Sequence, residues 1–336
     1  MATLFFSLWV KRGIITINNQ NIPFWGLATL ATGPRLPGPT IKAKVNDNIR
    51  IRLSNSFLNI KQIGEPVGLM FPGIEGVMVE EWPAGNSRPV QPQYINGELV
   101  AFTDYVDRGS IFLPKGLIYK FQAKKPGIYL YESGVKSEKQ IQMGVYGIIV
   151  IKPVGYNMPG HSNYKTAYGA GTNSNYDVEK VLVMGEIDTT MHENVVPGKN
   201  YNMLDFKPNN WILNGRVYPH IIDSDNNSSQ PYGSRINCRV NDRVLLRIAN
   251  AGYEAHTFYF GGLTGRIIAE DSYPLVSADS DLSYEKNGIT LASGQTADVI
   301  IIPTARGEYI LYDRDYNHIV NAESFPGGMM TSMVAG

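Results

Sequence analysis

The chain has 336 residues but a single cysteine, Cys238. This excludes an intramolecular disulfide, a Cys-rich zinc site and an iron–sulfur cluster held by this chain alone. Disulfides therefore give no reading of its compartment. Excess charge is also missing, because 30 Lys and Arg balance 30 Asp and Glu. Without a net positive field, neither nucleic acid nor an anionic membrane surface is an expected partner. No segment reaches the roughly 18 to 20 apolar residues of a membrane helix, so no membrane span is expected. The short apolar run from Leu4 to Val10 is followed, not preceded, by Lys11 and Arg12. That order is wrong for a signal peptide, and no signal peptide is read in the chain.

What is abundant points to strands and turns. There are 34 Gly, 20 Pro and 20 Tyr, and helical periodicity is scarce. Alternating segments such as Thr40–Val45, Ile49–Leu53, Ile128–Tyr131 and Gly147–Ile151 read as half-buried strands. The second half offers Val181–Met184, Arg243–Ile248, Val299–Ile302 and Glu308–Tyr312. Residues 156–176, rich in Gly, Asn, Ser and Tyr, read as a connection. The division expected is residues 1–153, a linker at 154–178, and residues 179–336, in line with roughly 150 residues per domain. One device repeats: Val45-Asn-Asp-Asn-Ile-Arg-Ile-Arg-Leu-Ser-Asn55 matches Val240-Asn-Asp-Arg-Val-Leu-Leu-Arg-Ile-Ala-Asn250. Lys125-Pro-Gly-Ile-Tyr-Leu-Tyr131 likewise matches Ala305-Arg-Gly-Glu-Tyr-Ile-Leu-Tyr312, so two homologous all-β domains are predicted.

These segments carry a resemblance. Gly38-Pro-Thr-Ile41 before the first repeat, and Gln140-Ile-Gln-Met-Gly-Val-Tyr-Gly-Ile-Ile-Val150 after Pro126–Tyr131, resemble multicopper oxidases. So do Trp211-Ile-Leu-Asn-Gly-Arg216, Asn250-Ala-Gly252, His256-Thr-Phe258 and Pro326-Gly-Gly-Met329, in that order. The resemblance implies two cupredoxin-like Greek-key β-sandwiches, as in small laccases and nitrite reductase, in an extracytoplasmic location. It also implies a mononuclear copper and a trinuclear cluster whose eight His arrive as four His-x-His pairs.

Those pairs are missing. The equivalent positions hold Met70 and Pro72, Glu132 and Gly134, Tyr259 and Gly261, and Tyr312 and Arg314, with Asp313 where the resemblance implies the copper cysteine. The whole chain has only five His, at 161, 192, 220, 256 and 318. Carboxylates suit harder ions better than a redox copper cluster, so oxygen reduction is not expected. His256 and His318 stand at the mononuclear copper positions and Met329, or Met330, at the axial one.

Two readings of this remnant are open: a hydrogen-bonded relic without metal, or a copper or zinc site formed by His256, Asp313, His318 and Met329. The expected function is a non-catalytic scaffold that works by assembly or binding, with no resident cofactor. Alternatives are a mononuclear copper- or zinc-binding protein, and an unrelated activity in the vacated cleft using Glu132, Tyr259 and Arg314. The resemblance implies a three-fold ring, so a homo-oligomer, a trimer or a filament, is expected, with Glu132 and Arg314 of different copies as its natural ion pair. Tyr105, Tyr129, Tyr131, Tyr259, Tyr309, Tyr312 and Tyr316 are expected to crowd the former copper region.

Several motifs are set aside. Cys238 is expected to be an ordinary strand residue, and His192-Glu193 lacks the second His of a zinc-protease helix. Asp223-Ser-Asp-Asn-Asn227 lacks the Gly and bidentate Glu of a calcium loop. Gly169-Ala-Gly171 is linker, and Lys136-Ser-Glu-Lys139 is expected to be a solvated loop.

Overall fold

The computed structural model describes residues 1–55, 63–107, 115–196, 199–226 and 228–336. The first half contains β1 (Thr3–Ile17), β2 (Gln20–Ala28), β3 (Ile41–Lys44), β4 (Asn48–Ser54), β5 (Leu69–Met70) and β6 (Met78–Trp82). It continues with β7 (Arg88–Pro89), β8 (Gln93–Ile95), β9 (Glu98–Ala101), β10 (Gly116–Gln122), β11 (Gly127–Ser133) and β12 (Tyr146–Lys152). One sheet runs β2-β1-β4-β10-β6-β7 and the facing one β3-β12-β11-β5. Ile49, Ile51 and Leu53 alternate inward on β4 and meet Ile149 and Ile151 in the core between the sheets.

The second half repeats this plan with β13 (Val178–Ile187), β14 (Asn210–Leu213), β15 (Ile236–Cys238), β16 (Val244–Asn250), β17 (His256–Tyr259) and β18 (Gly265–Glu270). Then follow β19 (Tyr273–Pro274), β20 (Tyr284–Lys286), β21 (Gly288–Leu291), β22 (Thr296–Ile301), β23 (Gly307–Asp313) and β24 (Met330–Ala335). Its sheets run β14-β13-β16-β22-β18-β19 and β15-β24-β23-β17-β21. β1 is parallel to β4 as β13 is to β16, and β3 is parallel to β12 as β15 is to β24. The chain is therefore all-β, with two sandwiches of one topology.

The repeated Asn-Asp is the corner at which the chain crosses from one sheet to the other. Asn46 and Asn241 both adopt left-handed backbone, φ 72° and 68°, which Asn tolerates better than most residues. Each donates its N–H to a carbonyl at 2.8 Å, of Ala123 and of Pro303. The following Asp carboxylate accepts from the strand just left, Lys44 N at 3.0 Å and Arg239 N at 2.8 Å. Tyr129 and Tyr309 form a second matched pair, each donating its hydroxyl to the carbonyl four residues back, of Lys125 and of Ala305.

Two expectations, on β12 and on Lys136–Lys139, are corrected, and two features go beyond the sequence reading. The N-terminal run, given no structural reading in the sequence, opens β1, 15 residues long, whose irregular alternation hid it. β12 is buried on both faces, as its uninterrupted apolar run allows, because Ile148 and Val150 leave the first core and pack with Val183 and Ala249 of the second half. Lys136–Lys139 is not a solvated loop but leads into helix α1 (Ser137–Gln140), where Lys139 donates to Glu65 at 2.6 Å. Within residues 156–176, Ala167, Tyr168 and Tyr176 are buried against Leu245, Ile268 and Ile300, so the connection is packed onto the second sandwich.

Candidate functional site

His256 opens β17, Asp313 ends β23, and His318 lies in a short 3-10 turn, Tyr316–Ile319. Strand pairing sets Phe258 opposite Asp313, so His256 and Asp313 are buried at one end of the second sandwich. The turn is held by the Asp315 carboxylate, which accepts from Asn317 N at 3.2 Å. Met329 N donates to His318 O at 2.8 Å and Asp313 N to Met329 O at 3.1 Å, so Met329 joins the two ligand-bearing segments through its backbone. Its side chain belongs to the apolar core of that sandwich.

Both imidazoles converge on one oxygen. Asp313 Oδ2 lies 2.6 Å from His256 Nδ1 and 2.7 Å from His318 Nδ1. An ionised carboxylate only accepts, so both Nδ1 atoms carry protons. The second nitrogen of His256, Nε2, faces Glu186 Oε2 at 3.4 Å. Burial alone would lower the His256 pKa, but the hydrogen bonds and charges of Asp313 and Glu186 outweigh it and raise it to about 9. Burial would likewise raise that of Asp313, yet the two imidazoles hold it at about 2. His256 is thus an imidazolium between two buried carboxylates.

The surroundings fix this geometry. Glu186, on β13, also accepts from Gln142 Nε2 of the first half at 2.7 Å and from Tyr253 N. Trp211 stacks on His318 with centroids 4.4 Å apart, and its indole N–H donates to Glu254 at 2.7 Å. Neither Glu186 nor Gln142 was singled out in the sequence. A clue to Glu186 existed, since it is the one charge in the apolar run Val181–Ile187.

The residue types suit Cu(II) or Zn(II), and their ligand atoms lie within 4.8 Å of one another. Ligands on a tetrahedral ion with bonds of about 2.0 to 2.1 Å would stand about 3.3 Å apart. Contacts of 2.6 and 2.7 Å are hydrogen bonds instead. In this arrangement the trio is joined by hydrogen bonds shorter than that spacing.

The positions equated with cluster ligands fall into two groups. Met70 pairs with Glu132 across β5 and β11, and a Cβ on Gly134 would lie 2.5 Å from Thr103 Cγ2 and 2.7 Å from Met70 Cγ, leaving no space for a side chain. In the second half Tyr259 pairs with Tyr312, while Gly261 has φ +66° and its Cβ would lie 2.8 Å from Ile310 O. Burial pushes the Glu132 carboxyl up to about 7. Arg314 lies 5.2 Å above the Tyr259 ring. Tyr259, Tyr312 and Tyr316 do gather there, whereas Tyr129 and Tyr309 are used in turns and Tyr131 donates to Pro39 O at 2.6 Å.

The motifs set aside have structural uses. His192 is buried on helix α2 (Thr189–Val195), its nitrogens 2.7 and 3.0 Å from the carbonyls of Pro23 and Gln142. Cys238 ends β15 with its thiol 3.6 Å from Val334 O, and burial pushes that thiol up. Asn227 lies outside the described residues, but the carbonyls of Asp223 and Ser224 accept from the Arg216 guanidinium.

No family model and no curated protein matches this chain. Solved structures do. A blue copper oxidase from Nitrosomonas europaea aligns over 100% of this chain and 86% of its own, at TM-score 0.69 and 16% identity. Copper nitrite reductase from the same organism aligns over 99% and 94%, at TM-score 0.63 and 18% identity. The Botrytis aclada laccase aligns over 100% of this chain but 53% of its own, at TM-score 0.65 and 18% identity. This chain therefore has the cupredoxin fold of multicopper oxidases and copper nitrite reductases.

Proposed function

We propose that the protein is a non-catalytic cupredoxin scaffold in which a protonated cluster, His256–Asp313–His318, occupies the place of a copper centre. The observation that carries this reading is the convergence of two Nδ1–H groups on Asp313 Oδ2 at 2.6 and 2.7 Å. The absence of a thiolate and of every His-x-His pair supports it, because oxygen reduction needs several metals that accept and release electrons. The likeness in fold also supports a location outside the cytoplasm, which cell fractionation tests. Copper incubation followed by dialysis and metal analysis tests the scaffold reading. Well under one copper per chain is expected, with no intense blue colour and no oxidase turnover. Blue colour or turnover would overturn it.

A second reading is a mononuclear Cu(II) or Zn(II) site, favoured by the three buried ligands lying within 4.8 Å. Binding would require the carboxylate to draw back and the imidazole nitrogens to lose their protons. If it is right, His256→Ala and His318→Ala each remove the bound metal and His161→Ala does not. We also propose a head-to-tail homo-oligomer, a trimer or filament.

A further inference from the structure

Between the two sandwiches, β3, β12 and β13 bound a cleft of about 350 Å³ whose lining shares no residue with the His256 cluster. Its walls are apolar: Ile148 and Val150 of β12 and Val181 and Val183 of β13. At one end Lys152 pairs with Glu179, which also takes Arg247, and Arg247 pairs with Asp298. These four charges cancel one another.

The other end is not. Lys180 is half-buried and forms no ion pair among the described residues, and burial lowers its pKa despite the more distant Asp225. Asp225 is exposed, with Oδ1 engaged by Gly233 N at 2.9 Å. The exposed Lys42 acts on Lys152 at the first end, while the Arg216 guanidinium is the cation that acts on Lys180. Asp225 is shared between Lys180 and Arg216, so the Lys180 ammonium beside the apolar wall has no carboxylate of its own. Tyr232 completes the rim: its hydroxyl oxygen accepts from Thr40 N at 3.0 Å, which leaves its own O–H as a donor.

We propose that this cleft binds a small amphipathic monocarboxylate, with its apolar body between β12 and β13 and its carboxylate on Lys180 and Tyr232. The volume equals about a dozen waters at about 30 Å³ each, enough for a phenyl ring or short chain with its headgroup. Apolar walls with a few convergent polar groups at a domain interface are the usual composition of a ligand site. One ammonium and one hydroxyl donor suit the two oxygens of a single carboxylate. A ligand carboxylate also relieves the cost of the partly desolvated ammonium.

Titration calorimetry of the full chain with hydrocinnamate, hydrocinnamyl alcohol and phenylpropylamine tests this. Saturable binding of hydrocinnamate is expected, at least about tenfold weaker binding of the alcohol, and none of the amine. Lys180→Met should weaken hydrocinnamate binding about tenfold or more, and Lys286→Met, on an exposed lysine elsewhere, should not change it. If Lys180→Met fails to fold, a crystal of the wild type soaked in para-bromohydrocinnamate decides, with the bromine expected between β12 and β13. No saturable binding to wild type, equal binding of the amine, unchanged binding in a folded Lys180→Met, or bromine found only elsewhere overturns the proposal.

Discussion

At the scale of single residues, His256 makes stability depend on pH through two groups acting at opposite ends of the range. The imidazole titrates near 6.5 when unfolded and at about 9 when folded, so its contribution is complete below pH 6.5 and is lost as pH rises through 9. That gap corresponds to ~3 kcal/mol. Asp313 titrates near 3.8 when unfolded and at about 2 when folded, so its contribution is present above pH 3.8 and lost as pH falls through 2. Urea denaturation across this range should therefore find the pair most stabilising between about pH 4 and 6.5. His256→Phe should cost roughly 3 to 5 kcal/mol at pH 6, because it removes the cation from between two buried carboxylates, leaving Asp313 to His318 and Glu186 to Gln142 and Tyr253, and should flatten the loss of stability between pH 6.5 and 9. A variant whose stability still falls by the wild-type amount over that interval would show that the charge of His256 is not the cause.

His256, Asp313 and His318 were legible because they stand at fixed places within motifs. Their partners were not. Glu186 is 70 residues from His256 and Gln142 is 44 from Glu186, so only the folded sheets bring them together. The carboxylate's use of one oxygen for both rings is equally invisible in a sequence.

At the scale of elements, the matched corners carry unequal loads. Asp47 is buried and accepts two backbone N–H groups, from Ala2 at 2.9 Å and Lys44 at 3.0 Å. Asp242 is half-buried, and the strand-side bond it shares in kind is the one from Arg239 N at 2.8 Å. Asp47→Ala leaves two donors without their carboxylate and should cost about 2 to 3 kcal/mol; Asp242→Ala should cost about 1. Denaturant midpoints of the two variants measure this, and the reverse order would mean that the first corner is not held by its carboxylate. These corners and their flanking strands were readable because their determinants are local: an Asn able to take left-handed backbone, an Asp to bridge it, and alternation on either side. β1 was not readable, since its place is set by pairing with β2 and β4, not by its own pattern.

At the scale of the whole molecule, the internal repeat presents one sheet face twice, covered fully in the first half and in part in the second. The outer face of β11 and β12, with Ile128, Leu130, Ile148 and Val150, is buried against the second half. Its counterpart on β23 and β24 is covered only in part: Met330 and Ser332 are buried, whereas Glu308 is exposed and Ile310 is 36% exposed. A second copy can repeat the internal contact there, head to tail, and such heterologous contacts either close a ring or continue as a filament. Closure as a trimer would bring Glu132 of one copy to Arg314 of the next. Glu132 has no counter-ion among the described residues, and burial raises it to about 7. Contact with a guanidinium lowers that value, so association releases protons and should strengthen as pH rises from about 5 to 7. Sedimentation velocity at micromolar concentration should give a trimer at pH 7 that dissociates toward pH 5. Glu132→Ala should weaken it by roughly 3 kcal/mol by stranding the arginine, and adding Arg314→Ala should restore part of the loss. A monomer at pH 7 would remove the oligomer, while a trimer insensitive to pH and to Glu132→Ala would keep the packing and discard the ion pair.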